Sequence, residues 1–488
     1  MWEFTKGTGR WFGFLTISFG GDRSGGAAIK KNDATALQQV ARSLMDFCDS
    51  YAPHFVHQGM NSIGHARHYL SGLLGTQRRK NIETIENDVT GSDYQGLEQF
   101  ISSSPWEHQA VMDQVARDAN QLLGHERLAG LYLDESSFLK KGKMSVGVQR
   151  QWSGRAGKVE NCQVGVFACL GRDERMCLTD FRLYLPASWA EDPERCQKAK
   201  VPEEQCQYRA KWEQALELVA HARKQGLKFG WVGVDSLYGS NAKFLNALED
   251  QGEKFMGDVS KVTKVWTSQP TLQDVGDSVS EGGRPRTRVR LHRDNRAEHV
   301  DVQTLVGRNF DKMHRQITYR QGQKGKLRAR LWVRKVWCWE KGWEQPRLRL
   351  LVVRQDVDGQ FKYSLSNLSP GQDWEYYAWV QGQRYWIEHA FHEAKSQLGM
   401  AQYQVRVWRG WHHHMSLVSM ALLFTMQIRQ ELAEQTPLLS TRDITELLDY
   451  YRPRRHRDEA EVLARIRLRH EKRKYDLERR KAQSTGIP

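Results

Sequence analysis

Asp134, Asp235 and Glu388 are the residues of this chain whose types and spacing suggest chemistry. Asp134 closes the apolar run GLYL and Asp235 closes WVGV, so each carboxylate stands where a buried strand ends. If those strands are neighbours, the two acids meet at one edge of a sheet. Either aspartate taken alone reads more readily as a turn or cap residue, and it is the pair that points to a site. Glu135 is a weaker candidate, because strand pleating sends it to the face opposite Asp134. The third acid follows from helical geometry. At about 100° per residue, Arg384, Glu388 and Lys395 fall at roughly 0°, 40° and 20°, a single stripe, whereas Glu393 falls about 140° from Glu388. Such a stripe sets an acid between two phosphate-binding, DNA-contacting cations, and the plain alternative is an i,i+4 ion-pair ladder on a surface helix. Carboxylates gathered this closely resist ionising together unless a cation compensates them. Hard oxygen ligands suit Mg²⁺, with Mn²⁺ as a substitute.

The elements that must position these residues are legible in outline. Apolar periodicity predicts several short helices from about residue 31 to 124, with Ser104 capping and Pro105 opening the last of them. The basic turn Arg78, Arg79, Lys80 among these helices fits either a helix-turn-helix-like DNA reader or an ordinary bundle. Strand-like runs follow, then the helix YRAKWEQALELVAHARKQG, the strand ending at Asp235, a second helix and the strand KFMGDVS. That order predicts an α/β fold with a mixed sheet. The segment QRYWIEHAFHEAKSQLG is predicted to form the helix carrying Glu388, with Ile387, Phe391, Ala394 and Leu398 on its apolar face. MSLVSMALLFTMQIRQEL reads as a strongly apolar helix.

Composition narrows the function classes. The 488 residues are 39% hydrophobic and 27% charged, which excludes a disordered, collagenous or polytopic membrane chain. Seven cysteines without a C-x-x-C pair fit neither a disulfide scaffold nor a zinc knuckle. The segment WFGFLTISFG from Trp11 is too short to span a bilayer; it could pass for a short signal h-region, but the following GDRSGG is no cleavage context, and it reads as a leader or an edge strand. Net charge is +15, and it is concentrated. Residues 261–365 carry +12 and the tail from Tyr451 carries +7, leaving the other 345 residues at −4. Such segregation is expected of a polyanion-binding protein. Within the first basic region Arg286, Arg288 and Arg290, and then Lys326, Arg328 and Arg330, alternate with apolar residues, as strands with one cationic face would. Rows of guanidinium groups suit a phosphate backbone, although a merely solvated face has the same pattern. The tail reads as a solvated helix or as a second nucleic-acid arm. GTGRWFG and GQKGKL fail as nucleotide-binding loops, and His412, His413 and His414 read as packing or interface residues. His392 lies near the Glu388 stripe and reads as an exposed histidine or a partner of that stripe.

Three blocks together carry a resemblance: GLYLDESSFLKKGKMSVGVQRQW, GWVGVDSLYGSNAKFL and RYWIEHAFHEAKSQLGMAQYQVRVWRGWHHHMSL. From about residue 61 to 434 the chain resembles insertion-sequence DDE transposases of the IS-four-like superfamily, in the IS-seven-zero-one-like branch. The resemblance implies catalytic, metal-binding roles for Asp134, Asp235 and Glu388, and matches Arg384 and Lys395 to the cations of the signature Y–x2–R–x3–E–x6–K. Gln381 stands where that signature has Tyr, and Tyr385 follows the Arg immediately. The fold implied is a ribonuclease-H-like catalytic core (124–260 and 366–434) interrupted by a basic, mainly β insertion (261–365). An N-terminal helical domain (31–123) precedes it, behind a leader (1–30), and a basic helical tail (435–488) follows. The function implied is metal-dependent cleavage at terminal inverted repeats and strand transfer into target DNA, by a homodimer on DNA ends. The location implied is a prokaryotic cytoplasm, at the nucleoid, with no membrane partner. A domesticated DNA-binding protein that has lost catalysis, or a nuclease without strand transfer, are the alternatives.

Overall fold

The computed structural model describes residues 31–484 apart from 155, 274–287, 293, 296, 323–324, 342, 435, 437–438 and 452–458. The segment read as a leader, and Arg286, lie outside these residues.

Strong apolar runs build the centre of a mixed α/β fold. Five strands lie side by side in the spatial order Arg175–Leu183, Lys158–Arg172, Gly130–Leu139, Trp231–Val234 and Phe255–Asp258. The last three are mutually parallel, and the first two are hairpin partners added antiparallel. Residues 162–171 are buried without interruption, so this strand is covered on both faces, as a sheet packed between helices requires. The parallel crossovers are made by the helices Lys211–Lys224 and Ala242–Asp250. The helix Trp408–Glu431 is buried almost all round from Gly410 to Met426, which makes it a central helix and not a surface one. It joins the N-terminal helices Ile63–Leu73, Tyr94–Ser102 and His108–Leu123 to the sheet in one hydrophobic core.

Most strands of the basic region join this same sheet, and only Leu272–Gln273 and Arg290–Leu291 pair apart from it among the described residues. Phe361–Ser366 pairs antiparallel with Phe255–Asp258, and Arg347–Gln355, Gly325–Cys338 and Arg315–Gly322 follow outward. The result is a continuous twelve-stranded sheet. Its outer part has a separate small core around Val302, Leu305, Phe310, Trp332 and Leu351. Of the predicted cationic strands, Gly325–Cys338 is a long strand, while only Arg290–Leu291 of the RTRVRLHR run is described as strand. No helix among the described residues is long and apolar enough to cross a membrane.

Two sequence expectations change in the fold, and the reading of the three histidines narrows to packing. The helix predicted to open at Pro105 begins at His108, because Trp106 is drawn into the core. The Trp106 ring stacks 3.6 Å from the His413 ring, and the two nitrogens of that histidine lie 2.9 Å from the carbonyl oxygens of Ile101 and Trp106. His412 and His414 are likewise buried, so all three histidines are packing residues. The basic turn is also split: Arg78 and Arg79 are exposed, but Lys80 is buried. Its ammonium donates to the carbonyl oxygens of Leu73, at 2.6 Å, of Gly75, at 2.7 Å, and of Gln397. Those three bonds occupy the three ammonium hydrogens and tie the end of one N-terminal helix to the end of the helix that carries Glu388.

Lys140, one residue past the strand that bears Asp134, has its Nζ 3.5 Å from the Tyr403 ring centre, and burial pushes its pKa down to about 7. An unfolded lysine titrates near 10.4. Below pH 7 both states are charged and the cost of burying the ammonium is fully present. Between 7 and about 10 the folded state has released its proton, so stability rises with pH. Lys140→Met is therefore expected to stabilise the protein at pH 6 by about 2 kcal/mol, after allowance for partial solvation. That gain should shrink toward zero by about pH 10. Urea denaturation at the two pH values checks this, and a pH-independent gain would contradict the assignment.

Candidate active site

Asp134 does not end its strand. Gly130–Leu139 continues five residues beyond it, paired to Lys158–Arg172 on one side. What ends is the neighbour on the other side: the parallel pairing stops at Leu133 opposite Val234, and Asp235 is the next residue. The two carboxylates are therefore consecutive to one paired position, on strands about 4.8 Å apart. This register brings together residues that are 101 positions apart in the chain. Asp235 is at once a site residue and a cap: its Oδ1 accepts from the backbone N–H of Leu237, at 3.0 Å, and of Tyr238, at 3.3 Å. Asp134 Oδ1 accepts from the Glu135 N–H at 2.7 Å. Each acid is thus oriented by its own backbone.

Glu388 arrives on the helix Tyr385–Ser396. Ile387, Ala390, Phe391 and Ala394 bury the face that docks this helix on the sheet, with the Phe391 ring edge-on to Phe167 at 5.4 Å. The same docking leaves Glu388 and His392 exposed and Lys395 half-buried on the cleft side. Lys395 Nζ lies 5.7 Å from the Phe138 ring centre. Glu393, set apart by the helical angle, pairs instead with Arg429 at 3.2 Å. Glu135 lines the cleft as well, held by Lys211 Nζ at 2.5 Å and by the Tyr238 hydroxyl at 3.3 Å. The cleft that contains all three predicted acids has a volume of about 720 Å³, with Trp152 and Leu237 exposed on its walls.

Arg384 sits at the junction between the helix Trp374–Gln383 and the Glu388 helix, and its guanidinium lies among the acids. Nη2 donates to Glu388 at 2.7 Å, Nε donates to Asp258 at 3.1 Å, and Nη1 stands 3.8 Å from Asp134. Among the described residues no three His, Cys, Asp or Glu side chains are close enough together to hold a metal ion in this arrangement. Electrostatics follow the geometry. Burial first, and then the Asp235 charge, push Asp134 up to about 7, against the opposing pull of Arg384. Asp235 is raised for the same leading reason, burial. Burial alone would lower Arg384, but Asp258, Glu388, Asp134 and Asp235 outweigh it and raise its pKa. Asp134 and Asp235 are thus short of positive charge, and oxygen donors short of positive charge fit a hard divalent cation.

Asp258 is a site residue that the sequence reading missed. It ends the strand Phe255–Asp258 as Asp235 ends Trp231–Val234, so an apolar run closed by Asp was the available signal. It accepts from the Ser364 hydroxyl at 2.7 Å and pairs with Lys362 at 3.2 Å as well as with Arg384. Gly239 makes this approach feasible: a Cβ there would lie 1.9 Å from the Asp258 carbonyl oxygen. Gln381, where the signature has Tyr, is buried and donates to the Ser364 hydroxyl at 2.8 Å.

The basic residues divide. Arg288, Arg290, Lys326 and Arg328 are exposed, whereas Arg330 is bound to Gln355 and Asp311.

The DDE superfamily endonuclease family matches residues 55–326, more than half of the chain and a span that includes Asp134 and Asp235. The chain belongs to the DDE superfamily endonucleases. Within this DDE-family chain a further match covers 185 residues, 37% of its length, at 30% identity to the probable transposase for insertion sequence element IS701 of Microchaete diplosiphon. That match spans 44% of the relative, less than half of its length. Among solved structures, a piggyBac transposase synaptic complex with hairpin DNA aligns over 85% of the chain and 79% of its own, at 8% identity and a TM-score of 0.37. The family match ends before Glu388, which shares its cleft with Asp134 and Asp235.

Proposed function

We propose that the protein is a DNA transposase that cleaves at the ends of an insertion sequence and joins the freed 3′ ends to target DNA. The observation that carries this reading is the register that sets Asp134 beside Asp235, with Glu388 across the same cleft. The spatial strand order, with two antiparallel strands beside three parallel ones, supports a ribonuclease-H-like core. The helical segment 31–123 and the basic region 261–365 are then accessory DNA-contacting parts, and the tail from 435 is a third. Asp134, Asp235 and Glu388 would hold the Mg²⁺ ions, two in this reading, which when bound activate the attacking hydroxyl and stabilise the leaving oxygen.

The chain's own residues do the rest. Arg384 fixes the Glu388 carboxylate beside the two aspartates, and Lys395 supplies a cation on the same wall for a DNA phosphate. Trp152, exposed at the cleft, offers a flat apolar surface to bases. Arg288, Arg290, Lys326 and Arg328 track the DNA backbone farther out. A homodimer on paired ends would bring two such clefts to one target. The working location is the prokaryotic nucleoid.

Incubating the full chain with DNA carrying the inverted repeats that flank its gene, together with Mg²⁺, tests the reading. Nicked and then joined products are expected. Nicking without joining would leave a nuclease, and binding alone would leave a DNA-binding protein without catalysis. A second measurement addresses the basic face. Replacing Arg288, Arg290, Lys326 and Arg328 with Gln should weaken DNA binding generally and flatten the salt slope by about 0.9 per lost phosphate contact. Arg330→Gln, which breaks internal bonds, should leave that slope almost unchanged. An unaltered slope in the quadruple variant would make this face merely solvated.

A further inference from the structure

A second concavity, of about 300 Å³, shares Arg384 and Glu388 with the acidic cleft. Four cations line it, Arg320, Arg354, Lys362 and Arg384, against the carboxylates of Asp356 and Glu388, while Asp258, outside the lining, pairs with Lys362 and Arg384. The excess of positive charge is built, not incidental. Three strands of the basic region, Arg315–Gly322, Arg347–Gln355 and Phe361–Ser366, each contribute one of these cations and converge on the end of the helix Trp374–Gln383.

Arg354 is 6% exposed. It binds Asp356 through Nε at 2.9 Å and Nη2 at 3.3 Å, yet its buried Nη1 has no hydrogen-bond partner. A buried guanidinium N–H left unpaired is costly, and an anion supplied from outside would remove that cost. Gly382 keeps space open at this atom: a Cβ there would stand 3.6 Å from Arg354 Nη1 and 3.0 Å from the Tyr319 ring. Arg320 is positioned by aromatic faces, its guanidinium 4.6 Å from the Tyr385 ring centre and 5.2 Å from that of Trp386. Rings hold a cation in place without neutralising it. Arg384, by contrast, is committed to Asp258 and Glu388, so a phosphate clamp at this position must come from its neighbours.

We infer that Arg320, Arg354 and Lys362 form a phosphate-binding pocket beside the acidic cleft, holding a phosphate group of the DNA strand next to the bond that is cut. Planar guanidinium forks and a lysine point charge around a small concavity suit a tetrahedral phosphate better than a single carboxylate. The inference rests on the DNA-cleaving reading for its ligand. Because Arg384 and Glu388 belong to both sites, occupancy of the pocket would set the strand's position relative to Asp134 and Asp235. The basic strands would then act in positioning the cut, not only in general affinity.

The test measures binding of the full chain to a fluorescent ten-nucleotide single strand in EDTA at fixed ionic strength, so that cleavage plays no part. The strand carries a 5′-phosphate, a 5′-hydroxyl, or a 5′-hydroxyl with internal methylphosphonates. Arg320→Gln/Lys362→Gln removes two cations without touching buried Arg354, Gly382→Val fills the space, and thermal melting verifies folding. Preference of about tenfold for the 5′-phosphate, lost in both variants, assigns a terminal phosphate. Equal binding of the first two strands, weakened in both variants and by methylphosphonates, assigns a backbone phosphate. Binding by either variant that matches wild type for every strand overturns the pocket. A wild-type protein that binds these strands yet never cuts element ends would overturn the transposase reading while leaving the pocket in place.

Discussion

Asp134→Asn, Asp235→Asn and Glu388→Gln are each expected to lower DNA cleavage by about a thousandfold or more, the scale seen when a preorganised charge-stabilising group is removed. Each change keeps the shape of the side chain and deletes one negative charge. Asp134 and Asp235 should also keep their orienting bonds, since an amide oxygen still accepts from the backbone N–H groups that hold Oδ1. Folding is expected to survive in all three. Binding to DNA should survive as well, because the cationic surfaces are untouched. Gel separation of nicked and joined products, alongside thermal melting and a binding titration, resolves these quantities. A variant that folds, binds and still nicks at a near-native rate would remove its residue from the site.

The second large effect belongs to Arg384. Its side chain is 18% exposed and sits within ion-pair distance of Asp134, Asp258 and Glu388. Arg384→Ala deprives the largely buried Asp134 and Asp258 of a counter-charge, and breaking a buried pair in this way costs about 3 kcal/mol. The loss should be largest in EDTA and smaller in Mg²⁺, since a bound divalent cation would supply the missing charge. Arg384→Lys should recover only part of it, because a compact ammonium cannot reach three separate carboxylates as a planar fork does. Urea denaturation with and without Mg²⁺ checks both statements. Equal stability of Arg384→Ala and wild type in EDTA would mean that these acids need no internal counter-charge.

The two predictions separate roles that the residue stripe alone merges. On a helical projection Arg384, Glu388 and Lys395 are equivalent members of one face. In the fold they are not. Glu388 is exposed to the cleft, Lys395 packs near Phe138, and Arg384 is an internal counter-charge that reaches across to Asp258. A phosphate clamp made from Arg384, as the stripe suggests, would have to break those pairs first.

Local pattern determined a good deal of this protein. Runs such as LYLD and VGVD are apolar, short and carry an acid, the pattern of buried strands that bear carboxylates. The apolar face of Ile387, Phe391, Ala394 and Leu398 fixed which side of its helix meets the sheet, and therefore which acid, Glu388 and not Glu393, meets the cleft. Segregated charge marked the region that would carry exposed cations. Each of these is a property of neighbours within a few residues, which sequence states directly.

Tertiary structure alone decided the rest, since it depends on pairings across long separations. The stop in parallel pairing at Leu133 and Val234 sets Asp134 beside Asp235 even though the Asp134 strand runs on. Pairing of Phe361–Ser366 with Phe255–Asp258 turns the expected insertion into an extension of the same sheet, and so carries Lys362 to Asp258 and Arg354 to Gly382. Lys80 looked like one cation of a DNA-facing turn, but the nearby helix ends claim its hydrogens. Trp106 pulled a helix start three residues along the chain because His413, 307 positions away, offered a stacking face. Charge and polarity say what a side chain needs; only the packed chain determines which partner supplies it.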